Sequence, residues 1–176
     1  MDTSDIVAID TETTGLLPHV DELMSVALVP LDGSDSLEVF IDHRFVRWSQ
    51  KAATYFDGYE KRWTMEKIRP SVAYARIQAF FSAREKTVLC GHNVGFDISF
   101  LNTLLPTDCR WHGLDYHHID TATVVRYKRL CGKPAPAKTT LRDSLLFWDV
   151  ENFAPHTAIG DAKATAELCR KLLLDG

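Results

Sequence analysis

The stretch that most limits what this chain can become is DIVAIDTETTGL, residues 5 to 16. Its apolar run, Ile6-Val7-Ala8-Ile9, reads as a strand buried on both faces, as a central strand would be. The run ends in Asp10 and Glu12, which share one face because successive side chains of a strand alternate. Two carboxylates side by side next to a core repel each other and resist desolvation. Taken alone, a D-x-E of this kind reads more simply as a strand end whose acids reach solvent or cap a turn.

Features further along favour a site instead. Thr13-Thr14-Gly15 follows at once, a turn whose N–H groups and hydroxyls can approach a ligand closely. Asp97, in CGHNVGFDISFL, follows a buried strand and sits at or near a helix start, where the dipole favours a carboxylate. His92, Asn93 and Gly95 put more polar chemistry ahead of it than a cap needs. Asp161, in HTAIGDAKATAEL, borders a small-residue stripe of Ala158, Ala162 and Ala166 that lets a helix approach a sheet closely. His156 precedes it by five residues, in the loop before that helix. A lone histidine is usually a satisfied polar residue; beside an anionic metal cluster it can serve as a general base. Asp10, Glu12, Asp97 and Asp161 form a hard oxygen donor set without cysteine, which suits Mg²⁺ or Mn²⁺ rather than structural zinc. Two such ions can hold the attacking and leaving oxygens of a phosphoryl displacement, with His156 taking the proton of the attacking water.

The rest of the chain supplies a frame. Residues 22–33 and 36–43 read as a hairpin, 87–93 and 117–122 as short strands, and 71–84, 96–105, 140–148 and 157–174 as helices. A further helix runs through about Leu130, and Ser71 is a plausible cap after Pro70. Residues 44–70 read as irregular and aromatic-rich, and 132–138 as a loop. Strands first, then strands alternating with helices, imply one α/β domain with a mixed sheet over residues 1–176. With 176 residues, 45% of them hydrophobic, the chain can bury a core without disulfides. A net charge of -4 gives no sign of a strongly basic nucleic-acid or membrane binder, although a bound metal supplies positive charge locally. Cys90, Cys109, Cys131 and Cys169 lie far apart and read as reduced thiols. The acidic start, MDTSDIVAID, lacks the apolar segment of a signal peptide, and no window is apolar enough for a membrane span. The expectation is a cytoplasmic protein.

DTETTGL, HNVGFD and HTAIGDA resemble the three motifs of the DEDDh 3′→5′ exonucleases, the group of epsilon-type proofreading subunits and ribonuclease T. They occur in family order from residue 10 to residue 161. The resemblance implies a ribonuclease H-like α/β fold: a five-stranded mixed sheet flanked by helices, its central strand carrying the first motif. It implies that Asp10, Glu12, Asp97 and Asp161 hold two divalent ions, Mg²⁺ or Mn²⁺, with His156 as general base. The product would be nucleoside 5′-monophosphates. The Tyr branch of the group has tyrosine four residues before the last Asp; here that residue is Thr157, so the His branch fits. By the same resemblance Thr13, Thr14, Gly15 and Leu16 grip the 3′-terminal nucleotide, Leu16 wedging against its base, and His92, Asn93 and Phe96 line that pocket. Core packing is the alternative for Leu16 and Phe96, and Asp120 reads as a turn or helix cap.

The chain departs from the proofreading pattern between the first two motifs. Many members carry an Ile-His-Gly-Ile-Thr-like segment there; this chain has YFDGYEKRWTMEKI, residues 55–68, without that His. Tyr55, Phe56, Tyr59 and Trp63 either stack on bases or cover the core. Arg126, Lys128, Arg129, Lys133, Lys138 and Arg142 are either a solvated rim or a track for backbone phosphates. The expected partners are 3′ ends of single-stranded nucleic acid, DNA favoured. A polymerase is allowed by the resemblance, but the sequence ends at Gly176 without the tail that epsilon-type subunits use to hold one. A stand-alone nuclease or a domain of a longer protein is expected. The alternatives are an RNA exonuclease of the ribonuclease T or oligoribonuclease kind, distinguished by 2′-OH contacts, and a non-catalytic nucleic-acid-binding domain. The latter would be expected to have lost an acid or the His, and all five are present.

Overall fold

The computed structural model describes residues 3–43, 48–56 and 60–174. The doubly buried run becomes β1 (Ile6–Thr13), the middle strand of five. It pairs antiparallel with β2 (Leu23–Pro30), which pairs antiparallel with β3 (Leu37–Phe40). On its other side β1 runs parallel to β4 (Val88–Gly91), and β4 runs parallel to β5 (Ile119–Asp120). The order β3-β2-β1-β4-β5 is the expected five-stranded mixed sheet, with the first motif on its central strand.

Alternation along β1 divides the core. Val7 and Ile9 face one side, where they join Ala73, Ile77 and Phe81 of α3 (Pro70–Ser82) and Phe100 and Leu101 of α4 (Val94–Leu101). Ile6 and Ala8 face the other, against Ala158, Ala162 and Ala166 of α7 (Ala158–Leu174). The alanine stripe therefore does what small side chains permit, bringing a helix down onto the sheet. The far side of α7 buries Leu168 and Leu172 against Val125 of α5 (Thr121–Leu130) and Leu145 of α6 (Leu141–Phe147). Among the described residues no helix is long and apolar enough to cross a membrane.

Three local expectations are corrected. The helix start at Ser71 moves back: Arg69 occupies the cap position and Pro70 the first helical position, where its missing N–H costs nothing. The helix carrying Asp97 starts at Val94 rather than Phe96, after Asn93 in a left-handed conformation with φ 75°. The described part of residues 44–70 holds two short helices, α1 (Gln50–Phe56) and α2 (Glu60–Glu66), too brief for a helical period to show. Trp63 of α2 donates its indole N–H to the Ile41 carbonyl at 2.9 Å, and the Lys67 ammonium stands 4.2 Å from its ring. It covers the sheet edge. Tyr59 lies outside the described residues, as do the side chains of Tyr55 and Phe56.

Candidate active site

β1 outruns its parallel neighbour. Their pairing ends at Ala8 with Cys90, so Asp10 and Glu12 project from a stretch held only by β2, opposite Ala27 and Ser25. The register then shifts between Glu12 and Thr13. The carboxyl ends of parallel strands are where α/β sheets open to ligands, and the acids stand at that opening.

Asp161 reaches them from the first turn of α7, one position off the buried alanine stripe. Carboxylate oxygens of Asp10, Glu12 and Asp161 lie within 4.8 Å of one another. The turn into α7 is built tightly: a methyl group on Gly160 would lie 2.0 Å from the Ala154 carbonyl oxygen, so glycine is required there. Thr157 donates its hydroxyl to that same carbonyl at 2.7 Å. Asn152, not anticipated from the sequence, donates its amide N–H to Asp161 at 2.5 Å and so fixes that carboxylate.

Asp97 comes from the opposite face of the sheet. It is 5% exposed and accepts a hydrogen bond from the Thr11 hydroxyl at 2.8 Å. The expected four-acid set is therefore three acids gathered together with a fourth held beside them. Alternation puts Thr11 on the α4 side of β1, where it captures Asp97. Thr11 also escaped the sequence reading, since a threonine inside a strand carries no signal of its own.

A cavity of about 340 Å³ opens beside Glu12, lined also by Thr13, Gly15, Leu16, Ser49 and Phe96. Leu16 is exposed, whereas Phe96 is half-buried with its ring 4.9 Å from that of Phe100. Phe96 thus serves both cavity and core. A second cavity, of about 400 Å³, opens beside Asp161 and is lined by His156, Asn152, Arg142 and apolar residues of α6. His156 is exposed and has φ 62°, a conformation histidine adopts more readily than most residues.

Thr14, His92 and Asn93 do not line the first cavity as expected. Thr14 is fully buried; it accepts the Glu22 N–H on its hydroxyl at 2.8 Å and returns its own N–H to the Glu22 carbonyl. Nε2–H of His92 donates to the Thr139 carbonyl at 2.8 Å, and Nδ1 pairs with the Thr121 hydroxyl at 2.9 Å. Burial pushes the His92 pKa down. The Asn93 N–H is bound at 2.9 Å by Asp120, which also caps α5 through the Ala122 N–H. Asp120 is the expected cap, and it ties the starts of α4 and α5 together. Of the basic stretch, Arg142 lines the His156 cavity, Lys128 is buried and Arg129 donates to the Ala137 carbonyl.

The RNase_T model of the exonuclease family matches residues 7–169. The chain belongs to the exonuclease family. It is 29% identical over 177 residues to the PolC-type DNA polymerase III of Caldanaerobacter subterraneus subsp. tengcongensis, covering 96% of this chain and 12% of that protein. It is 24% identical over 170 residues to the Thermotoga maritima counterpart, covering 92% of this chain and 11% of the relative. Exonuclease I of E. coli in complex with a dT13 oligonucleotide has the same fold, with a TM-score of 0.76 at 20% identity over 96% of this chain and 40% of that one. The chain thus spans only a small part of the curated relatives it matches. Family and fold bear out the DEDDh exonuclease resemblance and the ribonuclease H-like architecture.

In this exonuclease-family chain the acids are buried beside one another. Burial, then Asp97, Asp161 and Glu12, hold Asp10 well above the carboxylate range. Burial and the charges of Asp161 and Asp97 push Glu12 up to about 8. Burial carries Asp97 to about 7 against the pull of the Thr11 bond. Burial also raises Asp161, opposed by Asn152 and His156. A site that binds protons this readily fits a divalent cation, and its donors are all hard oxygens. A group with a raised folded pKa binds more protons folded than unfolded, so stability falls as pH rises through the interval. The metal-free protein is therefore expected to lose thermal stability between about pH 5 and pH 8, the span set by Glu12 and Asp97. Calorimetry in EDTA measures this. Mn²⁺ should restore more stability at pH 8 than at pH 5, and a Glu12→Gln variant should flatten the fall. A melting temperature that climbs over that span would show that the acids are not the dominant titrating groups.

Proposed function

We propose that the chain is a divalent-metal-dependent 3′→5′ exonuclease that shortens single-stranded DNA one nucleotide at a time, releasing nucleoside 5′-monophosphates. The observation that carries this is the convergence of Asp10, Glu12 and Asp161 within 4.8 Å at the open end of β1, in a member of the exonuclease family. Those three, with Asp97 beside them, would hold Mg²⁺ or Mn²⁺, two ions per site. When bound, such ions supply Lewis acidity at the phosphoryl oxygens. The chain's own groups do the rest. Asn152 keeps Asp161 turned toward the other acids, and Thr11 keeps Asp97 against them. His156 takes the proton from the attacking water as general base. The cavity between Leu16 and Phe96 receives the terminal nucleotide, with Thr13 and Gly15 on its wall. DNA is favoured because the relatives are PolC-type DNA polymerase III proteins and the exonuclease I of like fold was solved with dT13.

The test uses single-stranded DNA and RNA of one sequence, labelled at the 5′ end, with Mg²⁺, Mn²⁺ or EDTA. A ladder of products shortened from the 3′ end is expected on DNA, and none in EDTA. Faster loss of RNA would overturn the substrate assignment. Immediate release of the labelled mononucleotide would overturn the direction, and binding without cleavage would mark a non-catalytic domain.

A further inference from the structure

We propose that Asp21 is a positioning residue for the 3′-terminal nucleotide, clamping the turn after β1 so that Leu16 stands at the wall of the cavity beside Glu12. This rests on the exonuclease function proposed above. The turn is closed at its base by the two hydrogen bonds between Thr14 and Glu22. Inside it, the N–H groups of Val20 and Asp21 both donate to the Leu17 carbonyl, at 2.9 and 2.7 Å. The Asp21 carboxylate returns across the turn to accept the Leu17 N–H at 2.9 Å. It lies flat against Gly15: a methyl group there would sit 2.3 Å from the carboxyl carbon, so only glycine lets the clamp close. The Thr13 hydroxyl donates to the Gly15 carbonyl at 2.6 Å, anchoring the turn to the end of the strand that carries Glu12.

The clamp holds apolar groups in water. Leu16, Leu17 and Val20 are 74%, 60% and 53% exposed. A loose loop would fold such side chains back onto the protein, since burying apolar surface is favourable. Leu16 lines the cavity, and exposed apolar groups grouped on one turn beside a cavity mark a surface that a ligand covers. The apolar face of a nucleobase is the partner that a 3′ terminus brings. Asp21 is not on the cavity wall, and its carboxylate packs on Gly15 and accepts the Leu17 N–H, so its effect on substrate runs through the turn that carries Leu16.

The experiment compares steady-state cleavage of a single-stranded oligonucleotide with a normal 3′-terminal nucleotide and the same oligonucleotide ending in an abasic residue. The wild type is expected to show the lower KM on the normal terminus. Asp21→Ala should raise that KM about tenfold, toward the abasic value, with kcat and the abasic KM little changed. Asp21→Asn keeps an acceptor for the Leu17 N–H and should restore the preference. Gly15→Ala should lose it as Asp21→Ala does, and the double variant should be no worse than Asp21→Ala, because the clashing carboxyl is gone. An Asp21→Ala variant that retains the preference, or loses kcat equally on both substrates, would overturn the proposal. So would a wild type indifferent to the missing base. A wild type that degrades neither substrate from the 3′ end would instead overturn the function on which the proposal rests.

Discussion

Asp10→Asn is expected to lower turnover on single-stranded DNA by about a thousandfold or more while raising the melting temperature of the metal-free protein. Asp10 is the carboxylate that feels every other acid of the cluster: after burial, Asp97, Asp161 and Glu12 each raise its affinity for a proton. Asparagine preserves its volume on β1 and removes one charge. The donor set is then one acid short, and the developing charge on the phosphoryl group loses its stabilisation. Stability moves the other way. A carboxyl group whose pKa is higher folded than unfolded opposes folding increasingly as pH rises above the unfolded value. Removing it therefore stabilises the metal-free chain more at pH 8 than at pH 5. A gain on the order of 1–2 kcal/mol corresponds to a rise of roughly 2–8 °C for a chain of this size. Mn²⁺, which should raise the wild-type melting temperature, should do so far less for the variant. Activity retained within about tenfold would remove Asp10 from the machinery. A lowered melting temperature with full activity would make it a structural residue.

The parts of this molecule that follow simple periods were legible in the chain. The run Ile6 to Ile9 announced a central strand, and the spacing of Ala158, Ala162 and Ala166 announced a helix pressed against the sheet. Those two patterns locate Asp10, Glu12 and Asp161, because each acid sits at a fixed offset from a buried stripe. Asp97 was harder. Its helix was anticipated, but which sheet face that helix covers depends on a crossover that local sequence does not encode. The Thr11 bond that holds Asp97 beside the other acids is a consequence of that crossover. Asn152 was invisible for a related reason: it acts from an irregular loop, where no periodicity fixes the direction of a side chain. Short sequence motifs also blur residues that touch a ligand with residues that shape the loop. Thr14 stands between Thr13 and Gly15 in the motif but faces inward, its hydroxyl used by Glu22. His92 and Asn93 likewise brace the start of α4 through Thr139, Thr121 and Asp120.

His156→Asn is expected to lower kcat by about 10²- to 10⁴-fold with the affinity for Mn²⁺ little changed. The substitution is chosen for the backbone. His156 sits at φ 62°, and asparagine tolerates that left-handed conformation better than alanine does, so the turn into α7 is kept. The side chain stands on the wall of the cavity next to Asp161, outside the trio of acids. From that position an imidazole can take a proton from water arriving at the cluster; an amide cannot. KM should move little, because the proposed function places the terminal nucleotide on the Glu12 side, at the Leu16 cavity. Isothermal titration with Mn²⁺ separates the two roles open to this residue. If Mn²⁺ affinity fell with activity, His156 would be a ligand, and the base would have to be sought elsewhere in the cavity that it shares with Arg142 and Asn152.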